Sequence, residues 1–222
     1  MCKAQLKAIN LIPLFSWLLQ RGKCHNCKSK ISWRYPLIEV CCAALFVVTF
    51  YALNEQITLK LFLFLLIGFI LLIMSIIDIE RYFIPNLSQY FLAVAVTLLN
   101  LYRSNWYNAL VGQNVKIGLI FVAAALLLFC LFYVLAKVEA LGVDDVKLLF
   151  LIGFLLGKEN WLLFTALCGL SGVIFGSLWQ KLKHDTTFPF APALCFAAYA
   201  TLLIDEKFHP QNLLPTMTKY LL

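Results

Sequence analysis

Long apolar stretches separated by short polar breaks run through most of the chain. A helix needs about 20 largely apolar residues, within about 17–25, to cross a bilayer. Such stretches lie at 37–53, 59–77, 88–102, 117–136, 160–180 and 187–204. A seventh, 146–157, has only 12 residues and reads as a short tilted span or a re-entrant piece buried in protein. Counting it, the pattern predicts an all-α polytopic helix bundle of about seven spans over 37–204. A small N-terminal segment, 1–36, precedes it, and a tail of mixed polarity, 205–222, follows. There is no low-complexity tract and no convincing internal repeat.

Composition agrees with this class. The chain is 63% hydrophobic and 13% charged, whereas a soluble domain is about half apolar and a quarter charged. Its net charge is nonetheless +7. Residues 1–36 hold Lys3, Lys7, Arg21, Lys23, Lys28, Lys30 and Arg34 and no acid, so the whole excess belongs to this segment. Lys and Arg are retained on the cytoplasmic side of a first span, which predicts a cytoplasmic N-terminus and, with seven spans, an outside C-terminus. Twelve basic residues then lie inside, the N-terminal seven with Arg81, Lys137, Lys147, Lys181 and Lys183. Six lie outside, namely Lys60, Arg103, Lys116, Lys158, Lys207 and Lys219. A nucleic-acid arm would lack its stacking motif here. A signal peptide would not carry Pro13 in its apolar run with a Cys pair after it.

Carboxylates at a membrane boundary are costly and mark functional candidates. Asp78 ends the apolar run Ser75-Ile-Ile-Asp78-Ile-Glu80, shortly before Pro85, which should end regular structure. Glu139, Asp144 and Asp145 flank Gly142 just before the short apolar segment. In the topology above both places face the cytoplasm. Two acids brought together there share one proton, since like charges push their titrations apart. One can then deprotonate water while the other donates to a peptide carbonyl. Two plainer readings stay open: Asp78 and Glu80 as solvated helix ends, and Asp144 or Asp145 as an N-cap for a helix starting near Val146.

Several stretches together resemble the type IV prepilin peptidases, membrane aspartic proteases of the GxGD class. The first runs from Asn10 and Pro13 through Ser16-Trp17, Arg21-Gly22-Lys23-Cys24, Cys27 and Ile31-Ser32 to Pro36 and Glu39. It is similar to the family's cytoplasmic zinc-ribbon-like loop and its junction with the next span. The others are Asp78-Ile-Glu80 with Ile84-Pro85, then Gly142-Val-Asp144-Asp145-Val-Lys147, and more weakly Phe188-Pro-Phe-Ala-Pro192, similar to a Pro-Phe-Gly-Pro stretch. The resemblance implies Asp78 and Asp145 as the catalytic pair, general base and acid on a water nucleophile, with Gly142, Asp144 and Lys147 in support. It implies prepilin, pseudopilin or competence-pilus substrates cut at the cytoplasmic face of a bacterial inner membrane, with the lipid bilayer as surroundings and no nucleic-acid partner. It also implies N-methylation of the new terminus from S-adenosylmethionine.

The pattern departs from the family twice. Asp144 stands where the motif's second glycine belongs; if that position needs φ > 0, Asp is among the less costly choices. A carboxylate there would also raise the cost of ionising Asp145. Second, the chain starts late. Cys24 and Cys27 form the second Cys-x-x-Cys pair, and Cys2 matches the last cysteine of the first pair, so the N-terminus reads as truncated. That makes cleavage the firmer expectation and methylation the weaker. A closed zinc site takes four ligands; Cys2, Cys24 and Cys27 offer three, with His25 a sterically poor fourth. Proteolysis needs no cofactor. Cys41, Cys42, Cys130, Cys168 and Cys195 read as buried small hydrophobes. Gly169-Leu-Ser171-Gly172 looks like a serine-protease motif but has no histidine base in a span; Gly172 and Gly176 read instead as close helix packing. Two other functions remain in view: a non-catalytic pilus assembly factor derived from the peptidase, and an ion-coupled transporter using the boundary carboxylates.

Overall fold

The computed structural model describes residues 12, 14–54, 56–103, 115–124, 127, 142–157, 159–183 and 188–208. Cys2, Cys130, Glu139, most of the tail 205–222 and much of the expected span 117–136 lie outside them. The described residues form helices α1 (Phe15–Leu19), α2 (Arg34–Ala52), α3 (Leu59–Arg81), α4 (Asn86–Arg103), α5 (Val115–Ala124), α6 (Val143–Leu156), α7 (Trp161–Lys183) and α8 (Ala191–Phe208). Six of the seven expected apolar segments thus fall on a helix over most of their length, and the seventh does so over its described residues 117–124. Among the described residues α2, α3 and α7 are long and apolar enough to cross a membrane. Helices α4 and α8 are more polar because they carry Gln89, Asn100, Thr201 and Glu206, all buried. With 14 residues, α6 is about 21 Å long, shorter than the roughly 30 Å apolar core of a bilayer.

The chain divides into two compact units, Met1–Val48 and Thr49–Leu222. In the first, the Leu14 N–H donates to Glu39 Oε2 at 2.7 Å and Trp17 Nε1 donates to the Ile31 carbonyl at 3.3 Å. Gly22 takes φ +66 against the Trp17 ring, 3.0 Å from where a Cβ would stand. A left-handed backbone and this close approach both favour glycine. Lys23 and Lys30 pair as an isolated antiparallel bridge, closing a tight turn that carries Cys24 and Cys27.

In the second unit, α3 packs against α4 and α8, α4 against α6, and α6 against α8, while α7 lies on α8. Phe64, Ile67, Met74, Val96, Leu99, Leu148, Ala197, Ala198 and Leu202 are fully buried within this ring of helices. Small residues allow close packing: a Cβ on Gly68 would lie 2.7 Å from the Tyr199 ring, and one on Gly153 would lie 2.8 Å from the Gly118 Cα. Helices α3 and α8 run antiparallel. Their contacts step down the seam from Asp78 with Ala191, through Gly68 with Tyr199, to Lys60 with Glu206. At that last rung Glu206 also pairs with Arg103 of α4 at 3.3 Å.

Candidate active site

Asp78 sits near the C-terminal end of α3, which continues past the apolar run to Arg81 and stops where Tyr82 turns left-handed, φ 52. Only 6% of Asp78 is exposed. The solvated-end reading therefore fails for Asp78, while Glu80 is exposed. The Asp78 Oδ2 accepts a hydrogen bond from the Ala191 N–H at 3.1 Å. That N–H belongs to the first residue of α8, where the helix dipole favours an anion.

Asp145 comes from the first turn of α6. This helix starts at Val143, earlier than the Val146 expected, with Gly142 as its N-cap. Neither Asp144 nor Asp145 is the cap. Asp145 is the third helical residue, and its Oδ2 accepts the Gly142 N–H at 3.3 Å. Its own N–H returns to the Gly142 carbonyl at 3.1 Å, so a backbone contact replaces the side-chain half of a capping box. A Cβ at 142 would lie 3.4 Å from the Asp145 carboxylate. Gly142 itself is extended, φ −75, so its use here is room rather than backbone freedom.

The charge of Asp78 is felt at Asp145, and that of Asp144 more weakly. Asp144 is not in a left-handed conformation; it lies in the helix, where no φ > 0 is required. Its carboxylate is paired with Lys147, 2.9 Å away, and the same ammonium donates to Asn86 Oδ1 at 3.0 Å. The extra charge beside Asp145 thus has its own counter-ion. Lys147 serves Asp144 directly and Asp145 only through it.

Three contacts were not visible in the sequence. Gln89 Nε2, buried in α4, donates to the Asp144 carbonyl at 3.2 Å and ties α6 to α4. Cys195, 3% exposed, lies one turn beyond Ala191 on α8, where the charges of Asp78 and Asp145 reach it. The Ala191 N–H could have been found only from the weak match at Phe188–Pro192, whose chain direction delivers it. A Cβ on Gly172 or on Gly176 would lie 3.4 Å from the Phe190 ring or 3.5 Å from the Phe188 ring, so these glycines face aromatic rings rather than another helix's backbone. These residues line a groove of about 470 Å³. The Ser171 hydroxyl contacts the Cys168 and Ala193 carbonyls.

Residues 1–53 match the Bacterial Peptidase A24 N-terminal domain, and residues 65–177, which include Asp78, Gly142, Asp145 and Lys147, match the Type IV leader peptidase family. The chain belongs to the type IV leader peptidase family. Among members of this leader peptidase family, a prepilin leader peptidase/N-methyltransferase of Stutzerimonas stutzeri is 32% identical over 93% of the chain and 71% of that protein. One from Bacillus subtilis is 31% identical over 92% of the chain and 80% of that protein. One from Pseudomonas aeruginosa is 30% identical over 93% and 70%. No solved structure matches significantly. The family and the apolar helices make the chain a multi-pass membrane protein.

For metal, Cys24 and Cys27 share one turn, and the Cys27 Sγ lies 3.0 Å from Ser29 Oγ. Among the described residues no group of three or more His, Cys, Asp or Glu is arranged to hold an ion. Cys2 lies outside those residues.

Proposed function

We propose that this chain is a membrane aspartic endopeptidase that removes the leader from type IV prepilin-like proteins at the cytoplasmic membrane face. Asp78 and Asp145 are its working pair. The observation that carries this reading is that each carboxylate is held at the N-terminus of a different helix, Asp78 by the Ala191 N–H of α8 and Asp145 by the Gly142 N–H of α6, with the charge of Asp78 felt at Asp145. Two carboxyls in each other's field hold one proton between them. The ionised one takes a proton from water as that water attacks the scissile carbonyl, and the protonated one donates to the carbonyl oxygen. When the tetrahedral intermediate collapses, the proton passes to the leaving amine. Gly142 leaves room beside Asp145, and Lys147 neutralises Asp144.

The basic segment 1–36 supports a cytoplasmic N-terminus, with the transmembrane domain following over 37–204. The relatives' names also carry N-methyltransferase, so methylation of the new N-terminus from S-adenosylmethionine is the second activity in this reading. Zn²⁺ on Cys24, Cys27 and Cys2 would order the N-terminal unit and take no part in hydrolysis. The test is co-expression of a prepilin with wild type, Asp78→Asn and Asp145→Asn. Leader removal is expected with wild type alone; full processing by either variant would overturn the pair. Failure in Asp144→Asn alone would move the second acid by one residue.

A further inference from the structure

Hydrolysis by an aspartate pair makes no use of the N-terminal unit, yet that unit carries an exposed apolar face. Phe15, Leu18 and Leu19 stand at i, i+3 and i+4 of α1 and so share one side of it. Each is 64–72% exposed. Trp17 turns the other way, its indole against Gly22 and its Nε1 donating to the Ile31 carbonyl. Two bonds fix where this face lies. Helix α2 begins at Arg34 and is long and apolar enough to cross a membrane. The Leu14 N–H is held by Glu39, which stands about 7–8 Å along that helix. The Ile31 N–H donates to the Gly22 carbonyl at 2.7 Å, which brings the chain back towards the start of α2. With α2 across the bilayer, α1 therefore lies beside its first turns, at the depth where headgroups meet acyl chains. Trp33 and Tyr35, both exposed, flank the same level, where such residues are favoured.

Charge names what this face meets. Arg21, Lys23, Lys28 and Lys30 are exposed on the turn that follows α1. Lys23 and Lys30 stand opposite each other across the antiparallel bridge, hence on one side of it. No acid occurs in residues 1–36 to answer them. We propose that α1 and this basic turn form an interfacial anchor that docks on the anionic lipid headgroups of the leaflet where α2 begins. Phe15, Leu18 and Leu19 enter the acyl boundary, and the basic side chains reach lipid phosphates. A short apolar face or a small basic cluster alone binds a membrane weakly, and the two together hold. The anchor concerns the N-terminal unit alone and stands whether or not Asp78 and Asp145 cleave prepilins.

The test is hydrogen–deuterium exchange of the full chain in lipid nanodiscs, made of phosphatidylcholine alone or with phosphatidylglycerol added. Backbone amides of 14–31 should exchange about five- to tenfold more slowly with the anionic lipid, the effect of about one Lys or Arg held at a charged surface. High salt should remove the difference. Lys23→Gln, Lys28→Gln and Lys30→Gln together should erase the dependence on lipid. Phe15→Ser, Leu18→Ser and Leu19→Ser together should give fast exchange in both discs. Amides of 40–48 in α2 report folding and should stay unchanged in both variants. If the apolar variant disturbs them, the lysine variant and the salt series decide. Equal exchange in the two lipids, or a lipid dependence kept by the lysine variant, would overturn the anchor. So would slowing seen only with two copies in one disc, or only once a prepilin peptide is added, since the face would then meet a second copy or a substrate.

Discussion

The Asp78 carboxylate accepts the N–H of Ala191, a residue 113 positions downstream and the first of α8. The bond joins a side chain at the end of one buried helix to the start of another. It also places Asp78 at the positive end of the α8 dipole.

Proline is well tolerated at the first position of a helix and removes one N–H. Ala191→Pro should therefore leave α8 in place and delete this donor. A hydrogen bond to a charged group contributes about 1.5–3 kcal/mol, so turnover should fall roughly ten- to a hundred-fold. Steady-state cleavage of a prepilin peptide, with thermal unfolding measured in parallel, checks it. An unchanged rate would show that Asp78 does not depend on this bond.

Lys147→Met removes the counter-ion of Asp144 and leaves a bare carboxylate next to Asp145. A like charge disfavours ionisation. The acid limb of the rate curve should move to higher pH, by about half a unit to one unit. Adding Asp144→Asn should move it back. A Lys147→Met variant with a wild-type curve would separate Asp144 from the site.

Glu206 is 8% exposed in its side chain and takes both Lys60 and Arg103. Removing one partner of a buried ion pair costs about 3–5 kcal/mol. Glu206→Ala should destabilise on that scale. Lys60→Met should cost much less, since Arg103 still answers Glu206. Unfolding in detergent measures both.

Gly68→Ala would press a methyl group into the Tyr199 ring, whose hydroxyl lies 2.6 Å from Thr49 Oγ1. Overpacking of this kind costs about 1–3 kcal/mol. Tyr199→Leu removes the obstacle, so the double variant should be more stable than the two single losses predict. Strict additivity in unfolding measurements would argue against the contact.

The spans were legible because apolar length alone marks them. Their ends were not. Helix α3 runs on through Asp78, Glu80 and Arg81, with Asp78 buried and Glu80 and Arg81 exposed, a polar last turn that an apolar count cannot register. Asp78 and Asp145 were legible as carboxylates where a membrane protein has few. Ala191 and Gly142 were not, because each acts through its backbone N–H, which every residue but proline carries. Asp144 looked like a backbone problem. The helix starting at Val143 made it an ordinary first-turn acid, and Lys147, one turn on, became its partner.

The seam between α3 and α8 also sets a timetable. Asp78 is made and threaded into the membrane long before Ala191 leaves the ribosome, since 113 residues separate them. Until α8 arrives, the Asp78 carboxylate lacks its backbone donor. A nascent chain that already carries both aspartates thus still lacks one of the two backbone donors that hold them.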